Sequence, residues 1–327
     1  MDKKKKTIYF LFVLLVFGGL FLFFNFANRN QNIPFVAIAN YGPHPSLEKT
    51  IEGIKEQMSK IGYVEGKNIE YKVMDVNFEA SLISQMITTL KSMHPDVIVT
   101  LSTPVAQTTK KIVKDIPIVF VNVTDPSSIG LIDEGQNCNI TGASDKQNVD
   151  LMLKFAKQII PKAQSVGLFY STAEMNDTSL LEMLTKASSE RQLELVAIPL
   201  EHSRDAATRI KLMKDKVDFL YTGSSAVVQT ALPSIVKFAE QMNIPVINFN
   251  QDEVLSHDIF ASYGVSHHKI GANAANIINQ ILNGKKPYEI EVVYPSEDDH
   301  IGYISKRRGH KINFELPSDL TGINIVN

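Results

Sequence analysis

Hydroxyl and carboxylate side chains fall directly after short apolar runs all along this chain, a placement suited to holding a small charged solute. The segments are Tyr41-Gly-Pro-His-Pro45, Ser102-Thr103, Thr124-Asp125-Pro126-Ser127, Ser144-Asp145, Ser171-Thr-Ala-Glu-Met-Asn-Asp177, Gly223-Ser224-Ser225 and Asn250-Gln-Asp-Glu253. Hydroxyls and the bare N–H groups of helix starts donate to a carboxylate. Asp125, Asp145, Glu174, Asp177 and Asp252 accept from an ammonium, and Tyr41, Tyr170, Phe249 and Tyr263 offer walls to an apolar or aromatic group. An α-amino acid is the small solute that uses all three. For any one loop, a plain helix cap or turn is an equally good account, and Tyr170 and Tyr263 could be ordinary core aromatics. The signal is the set.

The element that must position these groups is clearest between Asp96 and Thr108. Val97 to Leu101 form a short apolar strand, Ser102-Thr103 end it, and Pro104 sits where a helix starts, since proline needs no donor there. The stretch recurs from Asp218 to Thr230 at an offset of 122, with six of thirteen positions identical, among them Asp96/Asp218, Ser102/Ser224 and Gln107/Gln229. Downstream, Ile116-Pro-Ile-Val119 matches Ile244-Pro-Val-Ile247, and Asn122 matches Asn250. Such a spacing exceeds that of solenoid repeats and points to two similar lobes.

Strands and helices alternate on either side of Ala143. The strand runs include Phe35–Asn40, Val97–Leu101, Val166–Tyr170 and Phe219–Thr222, and the helical runs include Ser46–Ile61, Glu79–Met93, Val149–Ile160 and Ser203–Lys214. This pattern predicts an α/β fold of two Rossmann-like lobes with parallel sheets and a ligand cleft between them. Lobe 1 is expected over residues 33–143 and lobe 2 over 144–296, with 297–327 returning to lobe 1. Ile140 to Asp145 is expected as a crossing segment.

Residues 1–32 read as a membrane anchor or signal segment plus linker. Lys3 to Lys6 precede an apolar run from Ile8 to Phe24, an arrangement that directs export with the lysines left behind. The folded body is therefore expected outside the cytoplasmic membrane. A net charge of −2 implies no nucleic-acid surface, and the one cysteine, Cys138, cannot form an intrachain disulfide. No dinucleotide fingerprint, phosphate loop, nucleophile elbow or His-Glu-x-x-His occurs, so neither catalysis nor a cofactor or metal is expected.

From Phe35 to Pro317 the chain resembles the ABC-transporter substrate-binding proteins of the tryptophan/tyrosine type. The residues that carry this are His44-Pro45, Gly62-Tyr-Val-Glu-Gly-Lys-Asn68, Thr103-Pro-Val-Ala-Gln107, Val123-Thr-Asp-Pro126, Thr141-Gly142 with Ser144-Asp145, Tyr170 with Glu174 and Asn176, and Ala261-Ser-Tyr-Gly264. The resemblance implies a periplasmic-binding-protein fold of type I and capture of a free, often aromatic, amino acid. It also implies delivery to a membrane permease and its ATPase. By position it implies that Thr103, Thr124, Asp125, Ser144, Asp145, Glu174 and Asn176 line the cleft, joined here by Ser102, Ser224, Ser225, Asn250 and Asp252. Two departures stand out. Ser224-Ser225-Ala226 occupies a loop that is commonly Thr-Asp-Asn in the family, and no lipid-attachment cysteine follows the apolar run. A membrane-anchored sensor or scaffold with the same fold and a changed ligand site is the alternative.

Overall fold

The computed structural model describes residues 33–132, 138–256, 259–318 and 320–327. The apolar segment expected as an anchor or signal lies outside the described residues, and among those described no helix is long and apolar enough to cross a membrane. The strands are β1 (Phe35–Asn40), β2 (Glu70–Asp75), β3 (Val97–Leu101), β4 (Ile118–Val121), β5 (Ile140–Ala143), β6 (Ser165–Tyr170), β7 (Glu194–Pro199), β8 (Phe219–Thr222), β9 (Val246–Asn248), β10 (Ala261–Val265), β11 (His300–Ser305) and β12 (Asn324–Val326). The α-helices are α1 (Pro45–Ile61), α2 (Ile83–Ser92), α3 (Thr103–Ile112), α4 (Val149–Ile159), α5 (Met175–Glu190), α6 (Ala206–Arg209), α7 (Ala226–Gln241), α8 (Gln251–Leu255), α9 (His267–Leu282) and α10 (Lys306–Lys311).

Two sheets result, in the orders β2-β1-β3-β4-β5 and β12-β11-β10-β9-β8-β6-β7. All pairings are parallel except β10 with β11. Helices cover both faces, so central strands such as β3 and β4 are buried along their whole length. The internal repeat has a structural cause. Asp96 accepts from the Phe35 N–H at 2.8 Å, and Asp218 accepts from the Ser165 N–H at 2.9 Å. Each carboxylate thus ties the third strand of its lobe to the first residue of the lobe's first strand.

Three expectations are corrected. Ile140–Ala143, read as a crossing segment, is the edge strand β5, paired in parallel with β4. Ser203–Lys214, read as one helix, is a run of 3₁₀ turns around the four-residue α6. The tail does not return to lobe 1, because β11 pairs with β10 and β12 with β11, both in the second sheet. What returns is α9, with a strand-like stretch in which Val293 bonds beside β5. Ile270, Ala274, Ile277, Ile278 and Ile281 of α9 belong to the core of the first lobe. The chain therefore crosses between lobes three times, near 144–148, 265–267 and 293–300.

Helix α9 reaches α1 through glycines on both sides. A Cβ on Gly271 would lie 2.1 Å from the Thr50 carbonyl oxygen, and one on Gly53 would lie 2.1 Å from that of His268. Backbone cannot yield as a side-chain tip can. Gly271→Ala is therefore expected to destabilise the protein by about 1–3 kcal/mol, lowering the melting temperature by roughly 2–4 °C per kcal/mol. Calorimetry checks this, and an unchanged melting temperature would mean that α9 does not seat on α1 as described.

Candidate binding site

The carboxyl ends of β1, β3 and β4 face those of β6, β8 and β9 across a cavity between the lobes. Its empty volume, which includes open solvent at the mouth, is about 480 Å³. Tyr41, His44, Phe78, Ser102, Thr103 and Asn122 line it from lobe 1, and Glu174, Asn176, Ser224, Ala226, Gln229 and Phe249 from lobe 2. Asp145 and His267 enter from the two nearest crossings.

Backbone strain concentrates here. Phe78, Ser102 and Asn122 have φ of 63°, 80° and 54°. Ser102, with ψ of 157°, occupies a region that glycine almost monopolises. It precedes α3 yet makes no side-chain cap, and its hydroxyl is buried without a protein partner. The helix-cap reading, which holds at Asn250 through a bond from the Asp252 N–H, therefore fails at Ser102. Both polar atoms of Asn122, Oδ1 of Asp145, Oδ1 of Asn176 and both ring nitrogens of His267 are likewise buried without protein partners. Buried polar groups are rarely left so, and five such side chains on one cavity mark it as a site for a polar ligand.

Removing the strain without touching the fold separates the two roles of Ser102. Ser102→Gly is expected to stabilise the ligand-free protein by about 1–3 kcal/mol while weakening ligand capture through loss of the hydroxyl. Thermal unfolding and titration calorimetry on the same variant read the two effects, and a lower melting temperature would refute the strain.

The electrostatics are acidic. Burial, then the neighbouring Asp177, pushes the Glu174 carboxyl up to about 7. Burial pushes Asp145 up to about 6, against the Thr124 hydroxyl beside it. Asp177, behind the wall, is also raised to about 6 by burial, against Ser225 and the Ser171 N–H. Burial drives His267 down to about 3 and lowers His44, so both rings are neutral at pH 7. No lysine or arginine among the described residues lines the cavity. Glu174 also accepts from the Val227 N–H at the start of α7, at 3.4 Å, so that helix end already faces a carboxylate. The start of α3 faces none, and its Ser102 and Thr103 are free to meet an anion. Tyr41 and Phe78 stand edge-to-face at 5.5 Å, as do Phe249 and His267, giving two aromatic walls.

The structure thus brings together Ser102, Thr103, Asp145, Glu174, Asn176 and Ser224, and sets the other expected residues outside this lining. Thr124 stands one layer back, beside Asp145. Asp125 pairs with Lys146 at 2.8 Å; burial works against its charge, but Lys146 and the Ser128 N–H hold the carboxyl below the usual range. Ser144 donates to the Val123 carbonyl at 2.7 Å, and Ser225 lies behind the cavity beside Asp177. Asn250 caps α8, and Asp252 in that helix is raised by burial, with Lys49 opposing. Tyr170 packs into the second core, and Tyr263 stacks with Phe155 and His300. Phe78, Asn122, Gln229, His44 and His267 were not among the expected ligand contacts. For Asn122 and Gln229 the internal repeat was an available signal. For Phe78, in a loop after an edge strand, there was none.

Comparison with known proteins decides the family. The family model described as ABC transporter substrate binding protein matches residues 35–305. This chain belongs to that family. A curated relative, the tyrosine-binding protein of Clostridioides difficile strain R20291, is 28% identical over 268 residues, covering 81% of this chain and 77% of the relative. Among solved structures, an ABC domain in complex with L-Trp from Streptococcus pneumoniae shares 22% identity at a TM-score of 0.83, covering 90% of this chain and 99% of that one. The ligand-free, open structure of a substrate binding protein with adhesive properties from Clostridium difficile shares 27% identity at a TM-score of 0.70, with the same coverage. The two-lobed periplasmic-binding-protein-like architecture is thereby established for this substrate binding protein.

Proposed function

We propose that this protein is the extracytoplasmic solute receptor of an ABC importer, capturing a free aromatic amino acid between its lobes without chemical turnover and presenting it to a membrane permease and ATPase. The observation that carries this reading is the single interlobe cavity wall on which three ligand needs converge. Asp145 and Glu174 offer acceptors for an ammonium. Ser102 and Thr103, at the unoccupied start of α3, offer donors for a carboxylate. Tyr41, Phe78 and Phe249 offer aromatic faces for a side chain. Lobe closure is supported by the overall likeness, which is higher to the L-Trp complex than to the open, ligand-free relative, and by a contact between the lobes, Ser128 Oγ to Ser179 Oγ at 3.1 Å. Closure would bury the ligand, and the transporter would read the closed form. Residues 1–32 would tether the receptor to the membrane or direct its export.

Thermal unfolding of the purified full-length chain against the twenty amino acids, nucleosides and simple sugars tests this directly, because a ligand of the native state raises the melting temperature. A rise with Tyr, Phe or Trp is the expected result. Cooperatively folded protein that responds to none of the set would overturn the receptor reading in favour of an anchored sensor or scaffold.

A further inference from the structure

Behind the ligand cavity lies a second, smaller one, with room for about one water-sized sphere. Its polar wall comes from four separate parts of the chain: Thr124 after β4, Asp145 and Gln147 on the first crossing, Asn176 in α5, and Tyr221 and Ser224 at the end of β8. Asp145, Gln147, Asn176 and Tyr221 are 3%, 8%, 6% and 1% exposed. Each presents a buried oxygen without a protein partner: Asp145 Oδ1, Gln147 Oε1, Asn176 Oδ1 and the Tyr221 hydroxyl. The amide of Gln147 is oriented by its own bond, Nε2 donating to the Asp145 carbonyl at 2.8 Å, so its oxygen is the end left over.

A water molecule has two protons to give. It can serve two of these acceptors, and it brings no charge to Asp145. Asp177 lies close enough to Tyr221 to raise its hydroxyl, after burial and together with Asp145, and no lysine or arginine among the described residues lines the chamber. Buried carboxylates are normally paired with a cation or a metal.

We propose that this inner chamber binds one monovalent alkali cation, held by Asp145, Gln147, Asn176 and Tyr221. Uncharged and anionic oxygens are the donors that hard cations take, and a single carboxylate in contact suits a single positive charge. The site shares Asp145, Asn176 and Ser224 with the ligand cavity, so an ion there fixes the floor on which the ligand rests. The assignment does not depend on which solute the receptor carries.

The test is thermal unfolding of the full-length protein in sodium, potassium and choline chloride at equal ionic strength, without amino acids. A saturable rise of several degrees in one or both alkali salts over choline is expected. Tyr221→Phe and Gln147→Met, which remove the oxygens and keep the volume, should each abolish most of that difference while still unfolding cooperatively. A thallous ion diffused into crystals should give an anomalous peak between these four side chains. Equal melting temperatures in all three salts would overturn the proposal and leave an ordinary water site. A rise with calcium chloride alone would overturn it as well. Because no amino acid is present, failure here leaves the receptor reading untouched.

Discussion

Glu174→Gln is expected to weaken capture of an amine-bearing ligand by about a hundredfold and, at pH 8, to make the ligand-free protein more stable than the wild type. The two effects share one cause. Glu174 is 7% exposed in a cavity without a lysine or arginine among its described lining residues, and its carboxyl is raised to about 7 by burial and by Asp177. An ionised carboxylate there costs free energy until an ammonium arrives, and truncating one partner of such a buried pair typically costs about 2–5 kcal/mol of affinity. Glutamine keeps the shape and the acceptor for the Val227 N–H, so the start of α7 is undisturbed. Titration calorimetry gives the affinity and scanning calorimetry the stability. An affinity within threefold of wild type would remove Glu174 from the site.

The second large effect is on pH. In the proposed binding mode an ammonium meets the ionised form of Glu174, so protons compete with the ligand for the same carboxylate. With a value of about 7, roughly one molecule in a hundred is ionised there at pH 5, against nine in ten at pH 8, so affinity should fall by roughly a hundredfold over that interval. Asp145, at about 6, adds to the fall at the lower end. In Glu174→Gln the upper part of the profile should disappear and only the Asp145 part remain. Stability follows the opposite sign. Between the ordinary glutamate value and 7, the native protein holds a proton that the unfolded chain has released, so this group's contribution is present at low pH and lost as pH rises. His267, held neutral down to about 3, acts in the other direction below its ordinary value of about 6.5. The melting-temperature difference between Glu174→Gln and wild type isolates the glutamate, and it should widen from pH 5 to pH 8. A pH-independent affinity would show that no cation meets Glu174.

The parts of this molecule that were legible beforehand are those governed by short-range patterns. The wholly buried β3, the repeated Asp96 and Asp218, and the stop at Gly62, whose φ of 110° suits a left-handed cap, all follow from neighbours in the chain. Assignment of α9 did not. Its apolar face is an ordinary amphipathic stripe, and only the close approach allowed by Gly53 and Gly271 decides which lobe receives it. The candidate site divides in the same way. Position after a strand placed Ser102, Asp145, Glu174 and Ser224 on one cavity lining, because a parallel sheet delivers every strand end to one edge. Which of those residues then faces the other lobe depends on the tilt of one sheet against the other. Asp125 turns to Lys146 and Asp252 to α8 and the Lys49 side, although both follow strands as the others do, and Tyr263, in the middle of β10, turns to His300. His44 and His267 line the cavity as neutral rings, a role that burial confers and that no motif announces.

The placement of α9 in the first lobe also bears on how the molecule is made. A chain emerging from the ribosome delivers β1 to β5 first, but the surface formed with α1 and β4 stays uncovered until Ile270, Ala274, Ile277 and Ile278 arrive. Before then, the second lobe has acquired β6 to β10 and still lacks β11 and β12. Both lobes therefore wait for the segment that runs from α9 to β12. Apolar surface is exposed in two places until that segment arrives, so its docking secures both lobes together.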